Sequence, residues 1–123
     1  MPRKTIVEVF YSMRGRVYCR VRVQSTSIPQ ERLSVLRNAV NRLEKTIIRN
    51  APRKRGRLRR SIRSRGSLAG KGVTIGAGVF YAPFQERGTR FIRARYFMRK
   101  ALRELISSLD TNQFDLRLKN VRG

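Results

Sequence analysis

The sequence predicts an α+β fold: an N-terminal β-hairpin and further antiparallel strands in one sheet, packed by a long amphipathic helix and a second, C-terminal helix. Three patterns carry that expectation. Residues 17–23 alternate, with Val17, Cys19, Val21 and Val23 on one face and Tyr18, Arg20 and Arg22 on the other, the period of a half-buried strand. Leu33, Leu36, Val40, Leu43 and Ile47 recur at spacings of three and four. Widened by Ala39 and Ile48, they form one face of a helix of about five turns. Phe97, Ala101, Leu102, Leu105, Ile106 and Leu109 repeat that spacing over a shorter second helix.

Taken in order, residues 5–11 are β-branched and aromatic, and Met13-Arg14-Gly15-Arg16 reads as the tight turn before the alternating strand. The hairpin therefore occupies residues 1–24 and carries a basic outer face. Ser27 reads as a capping hydroxyl, with Pro29 in the first turn and Gln30 three residues on, so the long helix is expected over residues 28–50. Asn50 and Pro52 end it, because the residue before a proline avoids the helical region. Residues 51–95 hold strands and basic loops: one strand at 61–67, glycines at 66, 70 and 72, and a second strand at 73–79. Gly76 and Gly78 share one face of that second strand, where a large group can pack on the backbone. Phe80, Tyr81 and Phe84 read as a compact packing cluster ahead of a short turn or single helical turn that closes at Gly88. The second helix spans 96–109, and Phe114, Leu116 and Leu118 alternate over a last strand at 113–119, expected at a sheet edge or added to a neighbour.

A chain of 123 residues suffices for one domain with a real core but not for two. The outlier in its composition is charge. Thirty Lys and Arg against seven Asp and Glu leave +23, and 24 of the thirty are Arg, the better residue for forked contacts to phosphate or carboxylate. So many like charges in a compact fold imply an anionic partner, either nucleic acid or an acidic protein surface. Cys19 is alone and there is no His, which leaves no disulfide and no zinc-ligand set; the thiol reads as a small apolar filler. No apolar run reaches the roughly 18 residues of a membrane span. Neither membrane nor cofactor is expected, and the chain is expected in a cytoplasm-like compartment or carried in a particle.

Catalysis finds little to work with. General acid–base chemistry needs paired titratable groups in one site, and here seven carboxylates are scattered without any His. Glu86, in a glycine-flanked turn, reads as half of an ion pair with Arg90 or Arg93 rather than as a base. No acidic cluster is placed to hold Mg²⁺. A Gly-x-Gly at 76–78 lacks the third glycine and following helix of a nucleotide-binding loop.

Basic residues concentrate at Arg53, Lys54, Arg55, Arg57, Arg59 and Arg60, and again at Arg87, Arg90, Arg93 and Arg95. Three short words run through and beyond them. They are Ala51-Pro52-x-x-x-Gly56-x-Leu58-Arg59-x-Ser61-Ile62, then Tyr81-Ala82-x-Phe84-x-Glu86-x-Gly88-Thr89, then Phe97-x-x-x-Ala101-Leu102. In that order and spacing they resemble the head–tail joining and tail-completion proteins of long-tailed bacteriophages, the small minor-tail or neck morphogenesis proteins. The resemblance covers residues 40–106. Arg55 stands where that family usually has Thr, and Tyr96 and Lys100 stand where it has prolines. The hairpin and the last strand lie outside it.

The resemblance implies a non-enzymatic virion protein, assembled in the host cytoplasm, that forms a ring, commonly a hexamer, at the joint between tail tube and head-side connector. The genome would pass through its lumen. Implied partners are further copies of the chain, acidic surfaces of neck, connector or tail-tube proteins, and packaged DNA. On this reading Pro52, Gly56, Leu58, Ser61, Tyr81, Glu86, Gly88, Thr89, Phe97 and Ala101 shape the fold, while the ten basic residues named above make the contacts. The competing class is a free-standing nucleic-acid-binding protein, ribosome- or chromatin-associated, using the same loops on phosphates, with Tyr18 or Phe91 as a stacking platform.

Overall fold

The computed structural model describes residues 3–24, 28–53, 56–68 and 70–121. Five strands form one mixed sheet: β1 (Thr5–Ser12), β2 (Val17–Val23), β3 (Ile62–Ser67), β4 (Gly72–Ala77) and β5 (Phe114–Lys119), in the spatial order β3-β4-β2-β1-β5. Three of the four pairings are antiparallel, as expected. The fourth differs: β5 lies parallel to β1 at the sheet edge, with Phe114 beside Thr5 and Leu118 beside Val9. The helix before β5 carries the chain back across the sheet, which is how a parallel neighbour is reached.

Two helices cover one face. The long one, α1 (Gln30–Asn50), buries Leu36, Ala39, Val40, Leu43 and Ile47, the expected stripe, with Leu33 and Ile48 half-buried at its margins. It begins at Gln30 with Pro29 at the cap position, two residues later than the sequence suggests. Ser27, the expected cap, lies outside the described residues. The last long helix, α4 (Phe97–Ser108), buries Phe97, Ala101, Leu102 and Leu105 together with Met98, which the spacing alone does not single out. The two helices pack antiparallel, the end of α1 meeting the start of α4, where the Asn50 side-chain amide donates to the Phe97 carbonyl at 3.3 Å. Beneath them the inward strand positions, Val7, Val9, Tyr11, Val17, Cys19, Val21 and Ile75, are at most 3% exposed. Burial pushes the Cys19 thiol up to about 12, as befits the apolar filler expected there.

Among the described residues, the opposite face carries no helix. Arg63 and Arg65 of β3, Arg20 and Arg22 of β2, and Arg117 and Lys119 of β5 stand exposed on it. Strand limits shift slightly from expectation, with β3 starting at Ile62 and β4 ending at Ala77. Two short helices fill the connections: α2 (Arg57–Ser61), in place of the expected plain loop, and α3 (Ala82–Arg87), the expected single turn.

A buried carboxylate and an arginine cap join the motif residues

The second and third motif words meet at the start of α4. Glu86, the last buried position of α3, is 0% exposed. Its carboxylate accepts the Met98 N–H at 3.0 Å and the Arg99 N–H at 2.9 Å, and the Tyr11 hydroxyl donates to it in a short hydrogen bond. Two of the four amide donors that any helix start leaves unpaired are thus satisfied by a side chain from another element. The positive end of the helix dipole also favours a carboxylate there. Glu86 does not pair with Arg90 or Arg93, as the charge pattern suggests; those two point to solvent and the carboxyl is turned inward. Main-chain bonds complete the joint: Arg95 N to Gln85 O at 2.8 Å and Tyr96 N to Glu86 O at 3.0 Å.

The loop between α3 and α4 is tied at its base. Gly88 donates to Phe84 O at 2.8 Å and Thr89 to Ile92 O at 2.8 Å, while the Thr89 hydroxyl accepts from the Phe91 and Ile92 amides at 3.1 and 3.0 Å. Gly88, Thr89 and Glu86 therefore all serve one local geometry. Phe97 and Ala101 lie in the core.

The first word closes the other end of α1. Pro52 follows the last helical turn, and Gly56, at φ +68°, starts α2 with a backbone conformation that residues with a side chain rarely adopt. Leu58 is buried at 2% exposure, and the Ser61 hydroxyl donates to Leu58 O at 2.7 Å. Arg59, expected as a contact residue, is half-buried and turned back: Nε donates to Ala51 O at 2.9 Å and Nη2 to Arg49 O at 2.8 Å. It satisfies carbonyls at the C-terminal end of α1, where a cation is also favoured. Arg53, Arg57 and Arg60 are exposed beside it, and Lys54 and Arg55 lie outside the described residues.

Aromatic residues depart from expectation too. Phe80 is 83% exposed and packs edge-on with half-buried Tyr81, so the compact cluster does not form. Phe91 is 87% exposed on the tied loop. The basic residues of that region lean on these rings, Arg87 at 5.5 Å over Phe84 and Arg90 at 5.3 Å over Phe91, while Arg93 and Arg95 stand free of them and exposed.

Burial first, and the bond to Glu86 second, hold the Tyr11 phenol well above the usual tyrosine range. Both Tyr11 and Cys19 therefore lose a proton more readily in the unfolded chain, near pH 8.5–10, than in the folded one. Their stabilising effect is complete below that range and is lost as pH rises through it and beyond. Urea midpoints are expected to stay level from pH 6 to about 8 and to fall above about 9, and the Tyr11→Phe, Cys19→Ala double variant should show a flatter decline. A wild-type midpoint that rises between those alkaline values would contradict this assignment.

The motif residues thus build joints between secondary-structure elements, and the surface around those joints is basic and aromatic: the layout of a protein that works by being placed against others. A family model described as "Bacteriophage HK97-gp10, putative tail-component" matches residues 25–88, which is 64 of 123 residues. The chain belongs to this family of bacteriophage tail components. The match takes in α1 to α3 and ends on Gly88, so the first motif word and all of the second but Thr89 fall inside it and the Phe97–Ala101 word outside. As a tail component the protein is part of the virion, and its contacts include other virion proteins. No curated protein and no solved structure shows significant similarity to the chain. Among the described residues, no helix is long and apolar enough to cross a membrane, and no group of three or more His, Cys, Asp or Glu is placed to hold a metal ion.

Proposed function

We propose that the protein folds as one domain and acts without catalysis as a tail-completion or head–tail joining subunit, closing into a ring of identical copies, commonly six, through which the genome passes. Membership of the tail-component family carries this reading. Support for the ring comes from surface that a lone molecule gains nothing by exposing. Phe80, Phe84, Phe91 and Ile92 stand out around α3, and the loop beneath Phe91 is fixed by the hydrogen bonds of Thr89 and Gly88 rather than free to fold away. Exposed aromatic anchors on a rigid support suit an interface.

Copies carrying +23 each repel at low salt, so assembly draws on acidic surfaces of neighbouring neck, connector or tail-tube proteins as well as on apolar contact. Arg53, Lys54, Arg55, Arg57, Arg60, Arg87, Arg90, Arg93 and Arg95 are the residues we assign to those surfaces. Arg59 leaves that set, because its guanidinium is engaged at the end of α1.

Native mass spectrometry at moderate salt tests the reading. Wild-type protein should give a closed oligomer of defined size, alone or on addition of virion components, and Phe80→Ser with Phe91→Ser should shift it to monomer at least tenfold in dissociation constant, about 1.4 kcal/mol, without lowering the melting temperature. A wild-type monomer that never joins a particle would overturn the proposal.

A further inference from the structure

We infer that the helix-free face of the sheet binds the phosphate backbone of duplex DNA, through a groove built on Arg16, Arg20, Arg63 and Arg65. The strand register puts these side chains together. Arg65 pairs across to Thr74 and Thr74 to Arg20, while Arg63 pairs to Gly76 and Gly76 to Tyr18, so two rows run over β3, β4 and β2 on one face. Arg63 and Arg65 repeat along β3 at about 7 Å, and Arg65 and Arg20 flank β4 at about 10 Å. Gly76 contributes no side chain between them, which leaves a low floor, and the resulting open groove encloses about 480 Å³. Arg16 enters from the β1–β2 turn.

The lining of this groove contains four arginines and no carboxylate. Acidic residues do occur on the same face, but on β1 and β5, each beside an arginine outside the groove. Glu8 of β1 lies 3.6 Å from Arg22, and Asp115 of β5 lies 3.0 Å from Arg117. Among the described residues none of the four groove arginines has an ion pair; the nearest fixed contact is Arg20 Nε donating to the Thr74 hydroxyl at 3.1 Å, which orients that guanidinium. Four unmatched guanidinium groups around one depression repel each other until an anion enters. Forked donors at regular spacing suit successive phosphates, which position a duplex without reading its bases.

The aromatic residues of this face argue for a duplex over a single strand. Single-strand binders offer exposed rings on which bases stack. Here Phe10 and Tyr18 are half-buried and packed on one another, centroids 5.6 Å apart. The inference rests on the proposed function only in taking the passing genome as the occupant; the charge arrangement is independent of ring formation.

Fluorescence anisotropy with a labelled 20-base-pair duplex, over a series of salt concentrations, tests it on the full chain. Arg16→Gln, Arg63→Gln, Arg65→Gln together should weaken binding at least tenfold and reduce the salt slope by about 2–3, close to 0.9 for each phosphate no longer neutralised. A triple variant of equal net charge on the exposed side of α1, Arg37→Gln, Arg42→Gln, Lys45→Gln, should change affinity less than threefold. In labelled wild-type protein, the Gly76 and Gly78 amide resonances should move on DNA addition, a readout that needs no variant to fold. Equal losses in the two triples, unmoved glycine resonances, or tighter binding of a 20-base single strand would each overturn the proposal. So would polyglutamate that binds through the same arginines while duplex affinity is unaffected by their removal, which would make the occupant an acidic protein. Native mass spectra of the same samples separate the two ideas. Rings without groove-dependent DNA binding overturn this inference alone, and groove-dependent binding by a lasting monomer overturns the ring alone.

Discussion

Glu86→Ala is expected to destabilise the protein by about 3–5 kcal/mol, the range for removing one member of a buried charged network, and to lower the melting temperature by about 10–25 °C for a chain of this size. The substitution leaves three donors behind: the Tyr11 hydroxyl and the amides of Met98 and Arg99. The carboxyl site is fully buried, so water does not readily replace it, and each orphaned donor costs about 1–3 kcal/mol. Glu86→Gln separates hydrogen bonding from shape. Its oxygen can serve Met98, or it can serve Arg99 and Tyr11, but its amide nitrogen then faces a backbone N–H in either orientation. The Tyr11 hydroxyl can turn to accept; a backbone N–H cannot. The glutamine variant should therefore fall between wild type and alanine, near the cost of one unpaired amide, about 1–3 kcal/mol. Tyr11→Phe alone should cost about 1 kcal/mol, and the Tyr11→Phe, Glu86→Ala pair should cost less than the two single effects summed, because they share one bond. Chemical denaturation of the four variants checks this. A Glu86→Ala protein within about 1 kcal/mol of wild type would refute the capping role assigned here.

The sequence was most informative where one side of an element faces the core. Val17 to Val23 alternates because helices cover one face of the sheet and solvent the other. The Leu36–Ile47 stripe is visible for the same reason. Neighbour relations were less visible. The alternation of Phe114, Leu116 and Leu118 announces a strand but does not say that it lies parallel to β1, since that depends on where α4 returns the chain. At five residues, α2 is too short for any hydrophobic period to register. Charge alone does not show what two of the motif residues do. Arg59 and Glu86 look like surface charges in one dimension; only when the end of α1 and the start of α4 are placed beside them do they become caps. Phe80 failed in the opposite direction. An aromatic run suggests a core cluster, but Ala82 and Pro83 take the buried positions of α3 and turn Phe80 outward. The groove arginines were partly legible, as Arg63 and Arg65 alternate and so do Arg20 and Arg22. Their meeting required the strand order β3-β4-β2, which no local pattern encodes.

Gly88→Ala should be the second most damaging single change, costing about 3 kcal/mol or more, whereas Gly56→Ala should cost only about 1 kcal/mol. Both glycines have positive φ, but the similarity ends there. Gly56 sits at φ +68°, ψ 0°, near the left-handed helical region that other residues enter at modest cost, and an added Cβ would meet Arg60 Nη1 at 3.1 Å, the far end of a long side chain. Gly88 sits at φ +79°, ψ 172°, in a region essentially reserved for glycine. A Cβ there would lie 2.7 Å from Ala94 N and 2.8 Å from Ile92 O. Those are main-chain atoms of the loop whose Thr89–Ile92 and Gln85–Arg95 bonds hold the base of α4, so relief requires moving the loop itself. That movement would pull on Glu86, only two residues away, and disturb the cap on Met98 and Arg99. Gly88→Ala should therefore show, besides lower stability, faster hydrogen exchange at the first amides of α4, while Gly56→Ala leaves those amides protected. Unchanged exchange at Met98 and Arg99 in a destabilised Gly88→Ala protein would separate the loop from the cap and show that the second motif word serves two independent structures rather than one.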